Sequence, residues 1–232
     1  MRYCCLIFSI CCLYLNSFTV VAQPLVVGMT HLPPFFVVGS DGSVSGTLTD
    51  LLKRTLSDAN LPYVLESYPP KRLYENVAAG ATDLTIGIRE GNPRSDSPVI
   101  YSKFPVASIE LRIYALKSTV LPSKIEGLIG RKLGLIRGFQ YGTKRQLFAH
   151  PENSPRPVDI NTHENALAML VNGRIDFLLD YKEPVSSAIR KDQEELLHHL
   201  TLQSFDMYFT LSKGYPGAPE ILKILENTYS RY

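Results

Sequence analysis

Apolar positions along this chain follow two rhythms that take turns. Pro24 to Met29 is a short, nearly unbroken apolar run, as expected of a strand buried on both faces. After the turn-rich stretch Gly39 to Ser43, Thr47 or Thr49 stands as a cap before Leu48, Leu51, Leu52 and Leu56, which share one helix face. Asp58-Ala59-Asn60 and Leu61-Pro62 end that helix. Residues 63–66 predict a strand, and Lys71 onward a helix with Leu73 and Val77 inward and Gly80 as its left-handed end; residues 83–88 predict a further strand. The rhythm then repeats. A strand at 132–136, a short helix at 143–148 and a strand at 158–160 precede a helix capped by Thr162, with Ala166, Leu167, Leu170 and Val171 on one face; a strand at 177–179 follows. The phrase Gly-x-x-Asp between helix and strand occurs in both halves, at Gly80 to Asp83 and at Gly173 to Asp176. Alternating strand and helix marks a parallel α/β layer, so two similar α/β lobes are expected.

Two stretches keep a different period. Ile109 to Lys117 alternates apolar and polar residues, and Phe205 to Leu211 does so again. A chain that crosses between lobes in the first stretch and returns in the second has two hinge strands. Helix 217–230, with Ile221, Leu222, Ile224 and Leu225, then packs back on lobe one. The expected division is residues 1–22 as a signal peptide, 23–113 with 204–232 as lobe one, and 114–203 as lobe two.

Composition narrows the class. With 24 Lys+Arg against 22 Asp+Glu in 232 residues, the net charge of +2 lacks the basic excess of a nucleic-acid binder, and no nucleic-acid partner is expected. Cys4, Cys5, Cys11 and Cys12 all fall in the first twelve residues, inside a run that follows Arg2 and is too short to span a bilayer as a helix. Val20-Val21-Ala22 before Gln23 fits a secretory signal cut after Ala22. The mature chain then has no thiol for a disulfide or a thiolate metal site, which suits a near-neutral, monomeric globule in a bacterial periplasm.

His31, His150, His163, His198 and His199 show no metal-ligand spacing, and His198-His199 reads as a solvated helix end. No Gly-rich phosphate loop follows a strand and no Gly-x-Ser-x-Gly elbow occurs, so no metal or other cofactor is expected. What remains is a set of aromatic and basic residues at strand and helix ends, where ligands of two-lobed α/β folds sit. His31 and Phe35 follow the first strand, with Pro33-Pro34 able to hold the ring over a cleft. Arg72 stands at a helix start, where its charge opposes the dipole and suggests an anionic partner; a surface salt bridge is the competing role. Arg89 and Arg94 lie in the loop after strand 83–88 and can fork onto a carboxylate or phosphate. Phe139, Gln140 and Tyr141 lie between Gly138 and Gly142 at a helix opening, and Asp180-Tyr181 ends a strand where a cationic or hydroxyl group can be received.

Five phrases, in order over nearly the whole mature chain, resemble the periplasmic solute-binding protein family 3, which includes the amino-acid receptors of ABC importers. They are Leu25 to Phe35, Gly42 to Leu51, Gly80-x-x-Asp83 through Tyr101-Ser102, Gly130 to Gly138, and Gly173 to Asp180. The resemblance implies an α/β, type II periplasmic-binding-protein-like venus flytrap that closes on a small ligand without catalysing a reaction. It implies in turn a small polar or anionic solute, amino-acid-like or an organic acid, captured for ABC-type uptake or sensing, with an inner-membrane permease or sensor as partner. The family's Thr-x-x-Arg grip is displaced here: Arg94 falls one residue early, and Gly91 stands three before it. Asp180 is four rather than five residues beyond Asp176, and Tyr181 takes the fifth place. These shifts imply a ligand other than a simple α-amino acid. Two alternatives share the fold: a dehydratase-like enzyme using His31 or Glu90 as its acid, and a sensory module for a membrane kinase.

Overall fold

A computed structural model of the chain describes residues 23–89, 97–123, 125–142, 144–148 and 154–231. The expected signal segment 1–22 with its cut after Ala22, and the candidates Glu90 and Arg94, lie outside the described residues. From the amino end run β1 (Leu25–Met29), a hairpin of β2 (Val37–Val38) and β3 (Val44–Ser45), α1 (Thr47–Asp58), β4 (Tyr63–Ser67), α2 (Pro70–Ala79), β5 (Leu84–Ile88) and β6 (Val99–Tyr101). The long β7 (Ala107–Leu116) leads to β8 (Lys132–Ile136), α3 (Lys144–Leu147), β9 (Arg156–Ile160), α4 (His163–Val171), β10 (Phe177–Tyr181), α5 (Lys182–Ala188) and α6 (Lys191–Glu194). The longer β11 (Leu197–Ser212) and α7 (Ala218–Tyr229) complete the described elements.

The main sheet is ordered β4-β1-β5-β11-β7-β10-β8-β9, with β6 also on β11. Read inward from either end, it repeats one plan. β1 is parallel to β4 and β5, as β8 is to β9 and β10. Each triplet is then flanked by an antiparallel long strand, β11 against β5 and β7 against β10. β7 and β11 pair with each other from Leu197–Leu116 to Met207–Ala107, so this one antiparallel ribbon joins the two lobes. Its inward residues Ile109, Leu111, Ile113, Phe205, Met207, Phe209 and Leu211 are all buried and belong to a core that runs through both lobes.

The repeated Gly-x-x-Asp phrase does the same thing twice. Gly80 and Gly173 adopt left-handed φ values of 72° and 65°, which turn the chain after α2 and α4. Asp83 then donates its N–H to the Val26 carbonyl at 2.9 Å and accepts the Val26 N–H on Oδ2 at 2.8 Å. Asp176 makes the matching pair with Lys132, at 2.9 and 2.7 Å. Each Asp therefore locks its strand beside the first strand of its lobe.

Two expectations are corrected. Thr47 and Thr49 lie inside α1, whose N-cap is Gly46 at φ 115°. A Cβ there would meet the Phe35 carbonyl oxygen at 2.5 Å. Thr47 and Leu48 donate their N–H groups to the Pro34 and Phe35 carbonyls at 3.0 and 3.1 Å, so the preceding loop satisfies the helix end and leaves no vacancy for a side-chain cap. His198 and His199 belong to β11, not to a helix end. His198 Nε2 lies 2.8 Å from the Thr119 carbonyl oxygen, and the His199 ring stacks near Tyr114. A register shift between Thr201 and Gln203 breaks the alternation there, which hides the first half of the strand from a period-two reading.

Replacing Asp83 or Asp176 by Ala removes one charge-assisted bond to a strand N–H and is expected to cost about 1–2 kcal/mol in urea unfolding. Asn keeps an acceptor oxygen and should recover more than half of that loss at both positions.

Candidate functional site

The ends of β1, β4 and β8 and the starts of α2 and α4 converge between the lobes, where they enclose a cleft in two chambers. The first chamber, of about 410 Å³, is lined by Thr30, Phe36, Thr85 and Met207 of lobe one and by Phe139, Gln140 and Tyr181 of lobe two, among others. The second, also about 410 Å³, takes His31, Tyr68 and Pro70 from lobe one and Arg137, Thr162 and His163 from lobe two. Thr30 and Phe139 line both, so the Phe139 ring stands between the chambers.

Phe139 is held by lobe two itself. Its ring centroid lies 6.1 Å from that of Tyr141, 6.0 Å from His163 and 6.1 Å from Tyr181, the last in an edge-on arrangement. Gly138 turns the chain into this position at φ 86°. A Cβ on Gly138 would stand 3.0 Å from the Lys71 backbone nitrogen and 3.3 Å from the Pro70 side chain, so lobe two rests directly on the start of α2.

The second chamber holds the cleft's ionisable groups. His163, the first residue of α4, sets Nδ1 2.6 Å from Asp180 Oδ2, and both side chains are almost wholly buried. Burial opposes the imidazolium, but the Asp180 charge and hydrogen bond outweigh it and hold His163 above its usual 6.5. His31 behaves oppositely. Burial first, and then the charge on His163, lower its value against the opposing pull of Glu164. His31 Nδ1 accepts the Val38 N–H at 3.1 Å, which leaves the neutral ring's proton on Nε2.

The sequence candidates divide. Phe139, Gln140 and Tyr181 line the first chamber and His31 the second, with Phe139 shared. Phe35 does not line the cleft: it packs on the core, and Phe36, paired across a turn with Leu32, enters the first chamber instead. Arg72 is exposed and lies 5.7 Å over the ring of Tyr68, which lines the second chamber, but is not itself part of either chamber's wall. Arg89 stacks on Tyr208 at 4.3 Å and reaches its hydroxyl at 3.3 Å, so it is engaged there and is not part of either chamber's wall. Tyr141 is fully buried beneath Phe139, with its hydroxyl oxygen accepting the Ile136 N–H at 2.7 Å. Asp180 faces His163 inside lobe two, and Tyr181, one residue on, faces the cleft. Arg137 and His163 were not among the candidates. One signal was available: both directly follow a predicted strand or cap, at the ends where ligands collect.

No protein-family model matches the sequence, and no curated protein does. Solved structures do. An arginine-bound arginine-binding protein from T. maritima superposes with a TM-score of 0.70 at 16% identity, covering 89% of this chain and 94% of that one. A histidine kinase sensor domain with similarity to periplasmic binding proteins gives 0.72 at 18% identity, over 90% of each chain. The arginine-, lysine-, histidine-binding protein ArtJ from Geobacillus stearothermophilus gives 0.70 at 19% identity, again over 90% of each. The fold is that of a two-lobed periplasmic binding protein. Among the described residues no helix is long and apolar enough to cross a membrane, and no group of His, Cys, Asp and Glu could hold a metal ion.

Asp180→Asn leaves His163 buried without its counter-charge, so its imidazole value should fall below 6.5, as NMR titration of the ring would show. In the wild type, the stability that His163 contributes is complete below 6.5 and fades as pH rises through its raised folded value. In the variant that contribution changes sign, and stability falls as the solution is acidified. Breaking so buried a pair should cost about 3 kcal/mol near neutral pH.

Proposed function

We propose that the chain is a solute-binding protein that captures a small polar or anionic solute between its lobes, outside the cytosol, and presents the closed form to a membrane permease or sensor. The observation that carries this reading is the cleft, to which both lobes contribute side chains while, among the described residues, a two-strand ribbon joins their sheets. A volume of about 410 Å³ per chamber lies within the range of about 300–1,000 Å³ typical of small-molecule sites. Solved neighbours described as arginine-bound or as an arginine-, lysine- and histidine-binding protein support solute capture as the activity. The sensor-domain neighbour supports the same closure being read by a kinase instead of a permease. Ligand binding drives closure only in so far as the closed form contacts the ligand better.

A thermal-shift screen of amino acids, organic acids, polyamines and sugars tests the reading, since a ligand at a hundredfold excess over its dissociation constant stabilises by about 2.7 kcal/mol. A hit should also lower the radius of gyration in solution scattering. No stabilisation by any solute class, with scattering unchanged throughout, would end the proposal. A second test uses two glycines. Gly138→Ala and Gly173→Ala carry the same left-handed strain, but Cβ has nothing within 4 Å at Gly173, whereas at Gly138 it meets lobe one. Both should lose about 1 kcal/mol of stability, and only Gly138→Ala should favour the open form and weaken the screened ligand.

A further inference from the structure

The two chambers differ in chemistry. Among the described residues, no Asp, Glu, Lys, Arg or His lines the first; its walls are mainly hydrocarbon, including Leu32, Phe36, Leu73, Val77, Ile86 and Phe139. An ammonium or guanidinium enclosed there would lose water without meeting an opposite charge in the described lining, which is strongly unfavourable. Thr85 also belongs to this wall. It is 7% exposed and its Oγ1 has no hydrogen-bond partner, so one neutral polar atom of a ligand can be accommodated.

The second chamber is furnished with donors. Arg137 lines it, and among the described residues its guanidinium has neither a hydrogen bond nor an ion pair. His31 carries its ring proton on Nε2, because Nδ1 accepts from Val38. His163 commits Nδ1 to Asp180 and retains Nε2, which is a donor when the ring is charged. The opposing carboxylates are Asp180, behind His163, and Glu164, whose charge reaches both histidines. Neither carboxylate lines the chamber, whose described wall offers the Arg137 guanidinium and the ring nitrogens of His31 and His163. One added carboxylate is solvated there by hydrogen bonds.

We infer that the ligand is a monocarboxylate with an uncharged, largely hydrocarbon body, held with its body in the first chamber and its carboxylate in the second. This rests on the solute-capture reading, and narrows it. The body lies against Phe36 and Phe139, the chain passes Thr30, and the carboxylate is gripped from lobe two by Arg137 and His163 with His31 opposite. A second charged group, as in arginine, glutamate or succinate, would lose its water in the first chamber, whose described lining carries no charged side chain.

The test is calorimetric titration of the purified protein with 3-phenylpropanoate, its amide 3-phenylpropanamide, arginine, glutamate and succinate. The acid should bind at least tenfold more tightly than the amide, and both more tightly than the other three. Arg137→Ala, at an exposed position that folding does not depend on, should close most of the gap between acid and amide. Phe139→Ala should weaken both alike. Tighter binding of arginine, glutamate or succinate would overturn this inference and leave solute capture standing. So would equal binding of acid and amide, or an acid affinity that Arg137→Ala leaves unchanged. Silence from all five compounds also overturns it, and solute capture then stands or falls with the wider screen.

Discussion

A β-strand has two edges, and in β7 and β11 the edges are divided between lobes. Residues 111–114 of β7 pair with β10 on one side and with β11 on the other, and residues 207–211 of β11 pair with β5. Each long strand is thus the antiparallel border of one parallel triplet and the tie to the other. Through this ribbon the two three-stranded parallel layers share one hydrogen-bonded sheet. The cleft follows from this, since both triplets aim the carboxyl ends of their strands toward the ribbon between them.

Closure adds contacts that a single lobe cannot make. Gly138 lies against the first turn of α2 because it has no side chain, and the Phe139 ring beside it is already fixed by Tyr141, His163 and Tyr181. The partition is therefore rigid before the lobes meet. Beneath it, the His163–Asp180 pair is expensive to bury and no more stabilising than a well-packed apolar pair would be. Its retention at the chamber wall, with Nε2 left over, is easier to explain by what that nitrogen can bind than by what the pair adds to the fold.

Much of this was legible in the chain. The repeated Gly-x-x-Asp phrase identified two equivalent units, and the structure supplies the reason: each Asp bonds both backbone groups of one residue of its lobe's first strand. The alternation at 109–117 identified one long strand, and Thr162 capped α4 as expected, accepting the Asn165 N–H. The site was harder to read because faces alternate residue by residue. Phe36, not Phe35, reaches the cleft, and Tyr181 does so where Asp180 does not. Arg72 and Arg89 look equivalent to ligand-gripping arginines in sequence, yet each spends its guanidinium on a nearby tyrosine ring. The Arg89 pairing depends on β11, a strand distant in sequence, about which periodicity carries no information; Arg72 and Tyr68 are only four residues apart, but Tyr68 precedes the helix, so helical spacing does not pair them.

If the ligand is the monocarboxylate inferred above, the unequal contribution of the lobes to the two chambers sets the order of capture. Lobe one supplies most of the hydrocarbon wall, with Phe36, Leu73, Val77, Ile86 and Met207 all buried, and these residues stand on its own strands, helix and loop. Lobe two supplies Arg137 and His163, which hold their positions through β8 and α4. An apolar body arriving from water gains first on lobe one, by an interaction that is non-directional and tolerant of pose. Hydrogen bonds from lobe two are directional, so they form only once the lobes are close to their final angle. Affinity then begins with burial and selectivity is added by closure, which lets a ligand lacking the second group bind the open form while failing to hold the closed one. A partner that reads only the closed shape would ignore such a ligand, even at concentrations that fill lobe one.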